Sequence, residues 1–109
     1  FFEGSDERIK DNIKDTEVNA LEVINSLQFR EFNKKNQSKK TKIGLVAQEV
    51  LKSKIPELVG TGSNESYKEY FDEYENKMYK IRIGKMNYYL MKVLQELSYF
   101  QDLLKVHLV

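Results

Sequence analysis

From Met86 onward the apolar residues fall at Met86, Leu90, Val93, Leu97, Phe100 and Leu104, and the same steps of four and three reach His107. This spacing puts all of them on one seam of an α-helix, the heptad pattern of helices that associate. Leu94, Leu103 and Leu108 widen the stripe. A long helix from about Lys85 to the end is therefore predicted. Its first half can pack on the core of its own domain. Beyond Ser98 little chain remains to cover Phe100, Leu103, Leu104, Val106 and Leu108, so self-association buries them most simply. Heptad spacing alone leaves two and three strands open. His107, the only histidine, falls near the end of the seam and is read as part of the helix terminus, not as a ligand.

The rest of the chain predicts one small domain. At 109 residues it is near the lower limit for a self-sufficient core. With 32% charged residues it leans on partner subunits for burial. No run of 18 apolar residues is present, so no membrane partner is expected. No leader is visible. Cysteine is absent, which excludes disulfides and thiolate metal sites. There is no glycine-rich phosphate loop, no metal-spaced His/Cys set and no Ser/His pair at useful range, so neither cofactor nor metal is expected. A net charge of +1 supplies no global field to recruit nucleic acid. Charge is nevertheless segregated. Arg30 to Lys42 holds six basic residues against Glu31, and Glu65 to Glu75 holds five acids against Lys68. Such runs are read as solvated faces, with contact between them across subunits or with an upstream parent region as the alternative.

In chain order, Thr16 is the expected N-cap of a helix running to about Leu27, with Asn19 at its third position. Val18, Leu21, Ile24 and Leu27, with Val23 alongside, form its apolar face. Gln28 to Phe32 and Thr41 to Val46 read as two strands of a hairpin around the polar Asn33–Lys40 loop. Gly44 inside the second strand predicts a bulge or a close backbone approach. Ala47 to Leu51 starts a short helix that must stop before Pro56. Gly60 to Asn64 reads as a turn cluster. In the stretch 65–80, Tyr67, Tyr70, Phe71 and Tyr74 fall at helical spacing, which offers a short amphipathic helix, and the stretch is left open. Tyr79, Ile81 and Ile83 alternate with Lys80 and Arg82 as a half-buried strand. The fold class is α+β: a small antiparallel sheet with short helices and a long C-terminal helix.

Near the start, Ser5-Asp6-Glu7-Arg8-Ile9-Lys10-Asp11-Asn12-Ile13 offers a nucleophile and a base. A neutral lysine amine can take the proton of a serine hydroxyl, as in serine–lysine variants of the catalytic triad. Only Phe1 to Gly4 precede the serine, which suggests that the chain itself is the substrate, cut at Gly4–Ser5. Gly4 has no side chain to block approach to its carbonyl. Lys10 has to be neutral, which burial or a nearby cation, with Arg8 the candidate, favours. Residues five apart share neither a helix face nor a strand face, so Lys10 reaches Ser5 only through a turn or from a neighbouring subunit. The plain alternative is that Ser5 or Asp6 caps a short helix with Asp6 and Glu7 in its first turn.

Ser5, Asp6, Arg8, Lys10, Asn12 and Ile13 resemble the opening of the intramolecular chaperone auto-processing domain. That domain is found in phage tailspikes, tail fibres and neck appendages, and in the myelin regulatory factor of animals. Four later pieces follow in the family's order: Ala20-Leu21, Gly44-Leu45-Val46-Ala47-Gln48-Glu49-Val50, Pro56-Glu57-Leu58-Val59 and Val93-Leu94-Gln95-Glu96-Leu97. The resemblance spans Ser5 to about Leu97. It implies a homotrimeric folding clamp that cuts itself off just before Ser5 by a dyad of Ser5 and Lys10. Residues 1–4 would then end an upstream fibre region of the same polypeptide, and 5–109 would be the C-terminal chaperone domain. Asp6, Arg8, Asn12, Gln48 and Glu49 are the supporting candidates, with Gln48 and Glu49 either structural or orienting the dyad. Leu90, Val93, Leu97, Phe100 and Leu104 would line the trimer interface. The pattern departs at Lys42, where the family often has histidine, so a third catalytic group is not expected. The setting implied is the host bacterial cytoplasm during virion assembly, with release from the mature virion after the cut. A trimerisation module that never cuts is the alternative, and the membrane-released transcription-factor form of the same domain is a third.

Overall fold

The computed structural model describes residues 2–108, with side chains described through Lys105. The seam position His107 and the neighbouring Val106 and Leu108 therefore have side chains outside the described residues. The chain is α+β: helices α1 (Ala20–Asn25), α2 (Ala47–Leu51) and α3 (Met86–Leu108), and strands β1 (Arg30–Asn33), β2 (Lys40–Gly44), β3 (Val59–Ser63) and β4 (Lys77–Ile81). The strands form two separate antiparallel hairpins, β1–β2 and β3–β4, where one small sheet was expected. Each hairpin pairs only within itself, so the α-helical core, not a shared sheet, joins them.

Helix α1 starts later than its sequence suggests. Asn19, not Thr16, is the N-cap, and its side chain accepts from the Glu22 backbone N–H at 3.1 Å. Thr16 instead accepts from the Val18 N–H in a local turn. The shift changes the buried face. Ala20, Val23 and Leu27 are buried and Ile24 packs against them, whereas Val18 and Leu21 are exposed. Helix α2 ends where the proline requires. Ser53 Oγ donates to the Val50 carbonyl and accepts from the Ile55 N–H, and Pro56 opens a 3-10 turn that has no use for its missing donor.

In β1–β2 the register slips between Arg30 and Phe32, the bulge that Gly44 predicts. The glycine also serves close approach: a Cβ there would lie 2.8 Å from the Phe32 ring. The cluster at Gly60 to Ser63 is strand β3, not a turn, because β4 supplies a regular ladder of partners from Val59–Ile81 to Ser63–Lys77. The Lys80 side chain lies over Gly62, 2.6 Å from where a Cβ would sit. The open stretch after β3 is a 3-10 helix, Glu65–Tyr70, followed by turn. Asn64 is buried at its base and donates to the Glu75 carbonyl at 3.0 Å, closing the connection. Ile81 packs on the core as expected. Tyr79 and Ile83 do not, because the hairpin projects past the core and Ile83 falls beyond the strand. The basic and acidic runs meet within one chain: Asn36 donates to the Ser66 carbonyl, and the Lys35 amine lies 4.9 Å from the Tyr70 ring centre.

The core is small. Val23, Leu27, Val50, Ile55, Leu58 and Met86 meet where α1, α2, the Pro56 turn and the start of α3 converge. Tyr89 on α3 reaches Glu57 at 3.3 Å from the same side. The radius of gyration is 18.9 Å, against about 13 Å for a compact chain of this length. The exposed surface is 9738 Å², against roughly 6,300 Å² for a compact monomer of this mass. Residues 2–19, none of which is buried, and the outer length of α3 contribute to the excess, with the projecting hairpins. No described helix is long and apolar enough to cross a membrane.

Candidate functional site

The site sits on the N-terminal arm. Asp6 caps the 3-10 turn Glu7–Ile9: its Oδ1 accepts from the Arg8 backbone N–H at 2.8 Å. The Arg8 side chain closes a fork on the same carboxylate, Nε to Oδ1 at 3.0 Å and Nη2 to Oδ2 at 2.7 Å. Arg8 beside Asp6 holds the Asp6 carboxyl below the usual carboxylate range, and Asp6 in turn raises the Arg8 guanidinium. Ile9 and Lys10 donate their N–H groups to the Asp6 and Glu7 carbonyls and complete the turn.

One turn of this kind reverses the arm enough for residues five apart to meet. Lys10 Nζ donates to Ser5 Oγ at 2.6 Å. The Asp6 cap makes the turn, and the turn brings Lys10 to Ser5. With a neutral amine the same contact reverses, and Oγ gives its proton to Nζ. Gly4 lies at the head of this turn, exposed on the arm. A Cβ at Gly4 would have only Ile9 Cδ1, at 3.7 Å, for a neighbour.

The other candidates are placed as follows. Arg8, expected as the cation beside Lys10, is engaged by Asp6, and the carboxylate offsets its charge. Asn12 adopts φ 55°, the left-handed region that asparagine tolerates better than most residues, and redirects the arm after Lys10. Glu49 is held by Arg30, Oε1 to Nε at 3.1 Å and Oε2 to Nη2 at 2.8 Å, which ties α2 to β1. Arg30 keeps the Glu49 carboxyl below its ordinary range. Gln48 is exposed beside Thr61 and Lys77. Neither residue is hydrogen-bonded to Ser5 or Lys10. On α3, Leu90, Leu97, Phe100 and Leu104 are exposed, and Val93 is half-buried. An apolar groove of about 980 Å³ opens between the hairpins, lined by Phe29, Phe32, Ile43, Tyr67, Tyr70 and Met86 among others, and no arm residue lines it.

One residue with a structural role carried no sequence signal of that role. Glu96, in the middle of α3, accepts from the Ala20 N–H through Oε1 and from the Leu21 N–H through Oε2, both at 3.0 Å. Only its place on the α1 side of α3 distinguishes it from the other acids of the chain.

Fold and site together describe a small α+β module carrying a serine–lysine pair on an extended arm. Residues 5–60, just over half of the chain, match the family model described as chaperone of endosialidase, a peptidase family. The chain belongs to that family, and membership gives the domain a chaperone role. No curated protein and no solved structure matches it.

Proposed function

We propose that the domain is a C-terminal intramolecular chaperone that trimerises, sets the register of a phage tail fibre, spike or appendage protein, and then releases itself at Gly4–Ser5. The observation that carries this reading is the 2.6 Å contact between Lys10 Nζ and Ser5 Oγ, the residue next after Gly4. Lys10 in its neutral form takes the proton of Ser5 Oγ as the oxygen adds to the Gly4 carbonyl carbon. The Gly4–Ser5 C–N bond breaks, the Ser5 nitrogen leaves with the proton from Lys10, and Gly4 is held as an ester on Oγ. Water hydrolyses the ester to a Gly4 carboxylate and a chain beginning at Ser5.

Trimerisation is supported by the exposed Leu90, Leu97, Phe100 and Leu104 and by the surface excess of the single chain. It also supplies what the chemistry lacks. Lys10 is exposed on its own chain, and a neighbouring subunit would provide the burial that favours a neutral amine. Cleavage would then follow assembly, in the host cytoplasm. A fibre whose clamp has left is kinetically trapped, because refolding would have to close its long-range contacts unaided. The second reading, a trimerisation module that never cuts, is favoured by that same exposure of Lys10.

The deciding experiment is incubation of a precursor that keeps its upstream region, followed by sequencing of new N-termini. The wild-type chain is expected to yield a product beginning at Ser5, and Ser5→Ala to stay whole while still folding. A Ser5→Ala precursor that still yields this product overturns the mechanism. A wild-type precursor that stays whole as a confirmed trimer supports the non-cleaving reading.

A further inference from the structure

The arm that carries Ser5 and Lys10 makes no hydrogen bond to the body. Among the described residues, every hydrogen bond of residues 5–18 is local: Asp6 with Arg8, Lys10 with Ser5, Thr16 with Val18, and the N–H groups of Ile9 and Lys10 with the turn. None of these residues is buried. The first fixed point is Ala20, fully buried at the start of α1. Where the arm stands relative to the rest of the domain is therefore set by how the first turn of α1 is held.

That turn is held from α3. The first four N–H groups of a helix have no partner within it. Here the Asn19 side chain accepts from Glu22, while the Asn19 carbonyl takes the first regular helical bond, from Val23. Glu96 satisfies those of Ala20 and Leu21. A six-residue helix is too short to hold itself, so these contacts, the packing of Val23 and Leu27, and the Lys54 contacts to Glu22 and Ser26 near its far end fix its position. Glu96 is one turn or less from Val93, Leu97 and Phe100 on the helix proposed to assemble.

We propose that Glu96 is a positioning residue that pins the root of the cleavage arm to the assembly helix, so that joining α3 helices places each Ser5–Lys10 pair. The cleavage part of this inference rests on the function proposed above. Glutamate suits the role because its two oxygens accept from two adjacent N–H groups. Glutamine keeps the shape but turns a donor toward one of them, and alanine removes both acceptors.

The test uses the full precursor as wild type, Glu96→Ala, Glu96→Gln and, as a control, Tyr89→Phe, which removes a different hydrogen bond of α3 and leaves α1 untouched. Sedimentation gives the trimer fraction, hydrogen exchange reads the Ala20 and Leu21 amides, and the first-order rate of cutting is taken within the assembled fraction. Glu96→Ala should lose protection at both amides. It should cut roughly 10- to 100-fold more slowly while still trimeric, the scale on which misplaced reacting groups lose rate. Glu96→Gln should fall between it and wild type. Tyr89→Phe should leave both amides protected and the assembled chains cutting at the wild-type rate. Unchanged amide protection in both Glu96 variants overturns the pin. A cleavage loss no larger than the loss of trimer overturns its link to the site. If wild-type precursor does not cut, the cleavage reading fails, and the exchange data alone still decide whether Glu96 holds the arm.

Discussion

Lys10 Nζ reaches Ser5 Oγ at 2.6 Å across a single 3-10 turn that Asp6 caps. The pair is made by local chain geometry and needs no neighbouring subunit to form. What a subunit would add is burial, so contact and activation are separable and can be perturbed one at a time.

Substitution at Lys10 separates base chemistry from charge. Lys10→Ala removes the base and is expected to abolish cleavage. Lys10→Arg keeps the positive charge but stays protonated and cannot accept the Ser5 proton, so it is expected to be equally inactive. Quantifying the product on gels checks both variants, and cutting by Lys10→Arg at the wild-type rate would refute the role.

The cap has its own acid limit. The Asp6 carboxyl is held below its ordinary value, first by the Arg8 side chain and then by the Arg8 backbone N–H. A depressed carboxylate stabilises the folded turn above its unfolded value, and that contribution is lost as pH falls through the lowered folded value. The turn should therefore persist at neutral pH and loosen only in acid below the usual carboxylate range. An NMR titration of Asp6 should show the lowered midpoint, and Arg8→Ala should move it upward. An unmoved midpoint in that variant would show that Arg8 is not the cause.

Assembly is tested at Leu97, which is 45% exposed on the seam. Leu97→Asp puts a charge where the proposed interface is dry, at a cost of several kcal/mol unless it finds a partner. At tens of micromolar, roughly the range where weak association appears, the wild type should sediment as a trimer and the variant as a monomer whose precursor stays uncut. A wild-type monomer under those conditions would remove the trimer from the proposal.

Asn12 offers a backbone test. At φ 55° a glycine is unstrained, while a β-branched residue meets a penalty of about 1–2 kcal/mol. Asn12→Gly precursor should cut near the wild-type rate, and Asn12→Val roughly tenfold more slowly, given that about 1.4 kcal/mol is a factor of ten. Equal rates in the two variants would show that the bend after Lys10 does not matter to the site.

Local pattern determined a good part of this protein. The heptad steps from Met86 predicted α3, Pro56 set the end of α2, and Gly44 marked the bulge in the first hairpin. The turn from Ser5 to Lys10 was legible as a capped turn, because cap and turn preferences act over a few residues. Tertiary structure decided the rest, wherever the partner is distant. Helix α1 begins at Ala20 rather than after Thr16, with Asn19 as its cap and acceptors for its first two N–H groups supplied by Glu96 on α3. The glycines at 60 and 62 lie in a strand because Lys77 to Ile81 offers a complete ladder that outweighs their preference for turns. Two hairpins stand apart instead of sharing a sheet because each finds its hydrogen bonds in its own partner strand and only the base of the second reaches the core. Periodicity records which face of an element is apolar. It carries no information on which distant donor or acceptor completes that element, and in a chain with so small a core those distant partners set the boundaries.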